Sequence, residues 1–96
     1  MIKKRFSTFE WDSNKESENI KKHGIDFETA RALWDDSNRV EIQSSYPLEN
    51  RSILIAKLDK KLWTAIFTLR GSARRIISVR RARKREVNLY DQKENG

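Results

Sequence analysis

At 96 residues the chain accommodates one domain, residues 1–96, with a modest core and no room for a second. Hydrophobic and charged residues each make up 36%, but the Ile, Leu, Trp and Phe stand in separated runs, which favours a folded domain over a disordered one. Cysteine is absent, excluding disulfides and Cys-based zinc sites, and the net charge of +7 belongs to one segment: residues 70–85 hold eight basic groups and no acidic one, while the rest, 13 basic against 14 acidic, sums to −1.

A basic stretch in an otherwise balanced chain points to an anionic partner, nucleic acid first. The basic N-terminus, Met-Ile-Lys-Lys-Arg-Phe, has no apolar run of signal-peptide length behind it, and nowhere do ~18 apolar residues follow one another. A cytoplasmic location is expected.

Alternation over residues 6–11 predicts a first strand, which Asp12 ends. Ser13 and Glu16 have capping-box spacing and Gly24 suits a left-handed termination, so a surface helix is expected over 14–23, with Ile20 its main apolar residue. Asp26 can cap a second helix whose Phe27, Ala30, Leu33 and Trp34 fall at helical spacing and face the core. Residues 35–38 read as a turn, 39–43 as a short strand and 44–50 as a loop around Pro47. Strands follow over 52–58 and 62–69, joined by Asp59-Lys60-Lys61. Next come a strand over 75–79 and a terminal helix over 82–92 with Val87 and Tyr90 inward. The order predicts an α+β domain: a strand, two helices, three to four antiparallel strands and a C-terminal helix.

Within the basic segment, alternation places Ile77 and Val79 on one face of their strand and Ser78 and Arg80 on the other. Arg80 and Arg81 then stand at the strand-to-helix junction, where Arg80 can present its planar fork to a phosphate. Arg83, Lys84 and Arg85 could equally coat a solvated helix face. His23, the sole histidine, sits in the last helical turn, where it can act as a helix-end cation or, with Lys22 beside it, donate a proton or hold a phosphate. Glu49 and Arg51 flank the entry to the first long strand, where on spacing alone they read as a surface charge pair worth little. Trp11, Trp34 and Trp63 have core-compatible spacing. No Gly-rich phosphate loop, metal-ligand cluster or Ser-His-Asp pattern appears, so no cofactor or metal is expected.

Phe9-Glu10-Trp11-Asp12, Lys15, Asn19, Lys22-His23-Gly24, Phe27-Glu28 and Ala30 resemble the N-terminal signature of BrnT-type toxins of type II toxin–antitoxin systems. Thr68-Leu69-Arg70-Gly71, Arg75-Ile76-Ile77-Ser78, Arg80-Arg81-Ala82, Arg85-Glu86 and Tyr90 resemble that family's C-terminal signature. The family's Gly-Glu-x-Arg entry to the first long strand is represented by Glu49 and Arg51 without the Gly. The resemblance implies a RelE-like fold and an endoribonuclease that inhibits translation and growth. It also implies a ribbon-helix-helix antitoxin of the BrnA type, binding of operator DNA by the toxin–antitoxin complex, and a heterotetramer with the antitoxin.

The chemistry implied needs no metal. The RNA 2′-OH attacks the adjacent phosphate once a base takes its proton, cations stabilise the phosphorane and an acid protonates the leaving 5′-oxygen. On this expectation Arg51, Arg70 and Arg80 clamp the scissile phosphate, His23 or Lys22 handles a proton, and Glu49 is the base or orients one. Arg81 and Arg85 hold flanking phosphates. Two other readings fit the same basic stretch: a non-catalytic nucleic-acid-binding regulator, and an interaction module that docks an acidic antitoxin.

Overall fold

A computed structural model of the protein describes residues 8–43 and 50–95, with side chains through residue 93. In chain order it contains β1 (Thr8–Trp11), α1 (Ser13–His23), α2 (Phe27–Ala30) continued by a 3-10 turn (Arg31–Asp35), β2 (Val40–Gln43), β3 (Ser52–Leu58), β4 (Lys61–Arg70), β5 (Ala73–Arg81) and α3 (Lys84–Asn95). The expected α+β class and element order are both present. No helix among the described residues is long and apolar enough to cross a membrane.

The strands form one sheet of order β1-β5-β4-β3-β2. β2 to β5 are the antiparallel meander read from the sequence. β1 corrects the expectation of an antiparallel sheet: it runs parallel to β5, from Thr8 opposite Ala73 to Trp11 opposite Ile76, so the sheet is mixed. Its connection explains this. The chain leaves β1 through helices that carry it to the opposite sheet edge, and alternation within a strand says nothing of its partner's direction.

Residues directly opposite one another share a face. One face carries Phe9, Trp11, Leu54, Ala56, Trp63, Ala65, Phe67, Ile76 and Val79 against Ile25, Phe27, Ala30, Leu33 and Trp34, and this is the core. Trp34 joins Phe9 and Phe67 edge-on, and Trp11 meets Phe27 likewise, so the tryptophans are packing residues as their spacing predicts. Simple alternation fails at one point. A register shift at Ile66/Phe67 sets Ile76 opposite Phe67 and Ser78 opposite Ile66, so Ile76, rather than Ile77, is buried with Val79.

The caps differ in detail from expectation. Asp12, one residue before Ser13, accepts from the backbone N–H groups of Asn14 and Lys15. Glu16 does not close a capping box; its Oε2 accepts from the Phe27 N–H and ties α1 to α2. Gly24 ends α1 at φ 74°, a left-handed position where glycine avoids the Cβ clash. Asp26 caps α2 through the Thr29 N–H. Asp59 and Lys60, at φ 53° and 68°, form a two-residue hairpin turn, which leaves Lys61 free to begin β4.

α1 is fixed by a polar contact, because Ile20 is exposed and Asn19 is its buried residue. β1 stops opposite Ile76, and beyond it the Asn19 carboxamide donates to the Val79 C=O at 2.9 Å and accepts from the Val79 N–H at 2.9 Å. It also donates to the Ile25 C=O. One side chain thus pairs the strand edge that β1 leaves open.

The outer face of the sheet receives α3. Tyr90, buried, donates from its hydroxyl to Asp36 Oδ2, and Lys93 donates to the Arg39 C=O. Desolvation acts to raise the Asp36 pKa, but bonds from the Lys57 and Asn38 N–H groups and the Tyr90 hydroxyl outweigh it and hold the carboxyl below its ordinary value.

Candidate active site

The register that builds the core on one face gathers arginines on the other. Glu10 lies opposite Arg75, Arg75 opposite Thr68, and Arg80 opposite Thr64, which itself faces Ile55. Arg70, two residues beyond Thr68, shares that outer face. Arg51 directly precedes Ser52, the first residue of β3, and is exposed there. The outer face therefore carries Arg70 and Arg80, two of the expected phosphate ligands, and adds Arg75, which the motifs did not single out as a ligand.

These arginines fall into two environments. Under the start of α3, Arg80 Nη1 and Nη2 donate to Glu86 Oε1 and Oε2, both at 2.8 Å, with side chains only 16% and 14% exposed. Glu86 also accepts from Thr64 Oγ1 at 2.9 Å and from the Arg83 N–H at 2.7 Å. As the third residue of its helix it reaches back to the capping position, half of a capping box. The Arg80 bonds, against desolvation and with help from Arg83 and Thr64, lower the Glu86 pKa to about 2. The Glu86 bond in turn raises that of Arg80 despite burial. The Arg80 fork is thus occupied. It fastens α3 to the sheet and is not the open phosphate ligand expected at a strand-to-helix junction, because β5 continues through Arg81 and α3 turns back over it.

At the other end, Arg75 Nη1 lies 3.0 Å and Arg70 Nη1 3.6 Å from Glu10 Oε1. Their side chains are 33% and 61% exposed, against 16% for Arg80. Here an exposed and a half-buried arginine share one half-exposed carboxylate. Half-buried Ile66, Thr68 and Ser78 lie between the two clusters.

Lys22 and His23 occupy a third place. With Lys15, Glu18, Asn19, Ile77 and Ser78 they line a cleft of about 320 Å³ between α1 and the edge of β5. Ser78 belongs to both this cleft and the outer face. Arg81 lies on the opposite side of the sheet, its guanidinium 5.6 Å over the Trp63 ring, so it does not join the other arginines. Arg85 is exposed in the first turn of α3. Glu49 lies outside the described residues. Among the described residues no three His, Asp or Glu side chains converge as metal ligands.

The residues that sequence reasoning passed over are Glu10, Arg75 and Glu86. Each stood in a quoted motif, but pairing Glu10 with Arg75 requires knowing that β1 lies beside β5, and the role of Glu86 requires α3 to fold back. No curated protein matches the chain. Residues 11–86 match the family model described as ribonuclease toxin, BrnT, of type II toxin-antitoxin system. That match spans most of the chain, including Arg70, Arg75, Arg80 and Glu86 and starting one residue after Glu10, and the protein belongs to the BrnT family of ribonuclease toxins.

Proposed function

We propose that the protein is a metal-independent endoribonuclease whose site is the open part of the outer sheet face. RNA lies across it with the scissile phosphate held by Arg70 and Arg75, and Arg51, just before β3, adds charge. The observation that carries this reading is the exposed pair of guanidiniums that share a single carboxylate, since two cations around one anion retain capacity for a phosphate. The 2′-OH attacks the phosphorus, the arginines stabilise the charge that builds on the nonbridging oxygens, and a 2′,3′-cyclic phosphate forms.

Arg80 serves this site by position: its bond to Glu86 fixes β5 beside Ser78. Lys22 and His23 take the strand of RNA that passes over Ser78 into the α1 cleft, where His23 can exchange a proton and Lys22 neutralise a phosphate. Arg85 meets a flanking phosphate. In its biological setting the protein acts in the cytoplasm as a RelE-like toxin, inhibits translation and growth by cutting RNA, and is neutralised by an antitoxin of the BrnA type. The two assemble as a heterotetramer that binds operator DNA through the antitoxin.

Incubating purified protein with ribosome-free RNA in excess EDTA tests the reading. Fragments with 2′,3′-cyclic phosphate ends that are absent from an Arg70→Ala/Arg75→Ala control are expected. RNA that is bound but intact, with or without ribosomes, would show a binding regulator instead.

A further inference from the structure

The open end of the outer face contains, besides its arginines, one described carboxylate whose bonding capacity is not exhausted. Glu10 uses Oε1 toward both Arg75 and Arg70, and its Oε2 takes part in no hydrogen bond among the described residues. Glu86, the other acid on this face, is bonded through both oxygens to Arg80, Thr64 and Arg83. Glu10 is held in place by strand pairing opposite Arg75, so its position is set by backbone and not by a loop.

A phosphate gripped by Arg70 and Arg75 must lie beside the carboxylate they surround. In RNA the 2′-OH is vicinal to that phosphate, so a carboxylate there is within reach of the hydroxyl proton. On the ribonuclease reading above, we propose that Glu10 is the general base. Its carboxylate takes the 2′-OH proton as the 2′-oxygen bonds to phosphorus. The bond from phosphorus to the 5′-oxygen breaks with its electron pair, and that oxygen takes a proton from water. The hydroxide left is neutralised by the proton that Glu10 then releases. The products are a 2′,3′-cyclic phosphate and a 5′-hydroxyl.

The test is single-turnover cleavage of a labelled RNA by the full chain in EDTA, with affinity measured on the same RNA carrying 2′-deoxy nucleotides. Wild type, Glu10→Gln and Glu49→Gln are compared. Glu10→Gln preserves shape at a half-exposed site, and an unchanged melting temperature confirms its fold. Expected is a loss of about 100-fold or more in cleavage rate with affinity within about threefold of wild type. Cleavage by Glu10→Gln within about threefold of wild type overturns the assignment, as does a parallel loss of affinity and rate, which would make Glu10 a positioning residue. Abolition by Glu49→Gln alone overturns it too. Wild-type protein that leaves the RNA intact both without and with ribosomes overturns the ribonuclease reading itself and this assignment with it, so the two failures are distinct.

Discussion

The outer face carries the same chemical pair twice, and the two copies behave differently. Arg80 and Glu86 meet through two parallel 2.8 Å bonds under α3, with both side chains mostly buried and every carboxylate oxygen engaged. Arg70 and Arg75 meet Glu10 at 3.6 and 3.0 Å in the open, through one oxygen. A buried bidentate pair is costly to split and cannot serve a ligand without being split; an exposed, incompletely bonded pair contributes little to stability and can be exchanged for a phosphate. Residue type alone therefore does not decide what an arginine can bind. The cover above it decides whether its fork is open.

The sharpest way to break the comparison is to remove one partner from each pair. Arg80→Ala leaves Glu86 charged under α3 and should destabilise the protein by about 3 kcal/mol, whereas Arg75→Ala should cost less than about 1 kcal/mol; chemical denaturation of both variants checks this. Equal losses would erase the distinction between the clusters. Loss of cleavage in Arg80→Ala would then have to be read against its stability, which is why Arg75 is the better probe of chemistry.

Asn19 offers a comparison in polar packing. Asn19→Ala removes the carboxamide that pairs Val79 and leaves backbone groups unsatisfied at the edge of β5, and a loss of about 2 kcal/mol in urea denaturation is expected. Acid sharpens the contrast between the two glutamates. The Glu86 pKa is about 2 in the folded chain against an ordinary 4.5, so its stabilisation is fully present above pH 4.5 and is lost as the pH falls toward 2. Glu86→Gln should flatten the decline of melting temperature over that window.

Binding supplies the smaller effects. Replacing Arg70 and Arg75 by Ala should weaken RNA binding at every sequence and lower the slope of log affinity against log salt by about 1 for each arginine, read by titration at several salt concentrations. Arg81→Ala, on the opposite face over Trp63, should change affinity by less than about twofold in the same assay. An effect of Arg81 as large as that of Arg75 would place RNA on the wrong side of the sheet for this account.

Much of the molecule was legible beforehand because local chemistry determines it. Asp26, Gly24 and the Asp59-Lys60 turn follow from capping and left-handed backbone preferences, and the runs of Ile, Leu and Phe mark β3 and β4. What could not be read were the long-range facts: the parallel pairing of β1 with β5, the shift that buries Ile76 in place of Ile77, and the fold-back of α3. Each of these moves a residue's meaning. The first makes Glu10 a neighbour of Arg75, the second sets the core contacts of β5, and the third converts Arg80 from an exposed fork into a fastener. The family resemblance grouped Arg51, Arg70 and Arg80 as one phosphate clamp; the sheet puts Arg70 and Arg80 on one face, separates Arg80 by burial and sends Arg81 to the other side.

The most direct measurement is an NMR titration of arginine side-chain Nε–H signals with a short RNA made uncleavable by 2′-deoxy substitution. The account predicts that the Arg70 and Arg75 signals shift while the Arg80 signal stays in place, held by Glu86. Shifts centred on Arg80 or Arg81, with Arg70 and Arg75 unmoved, would contradict it.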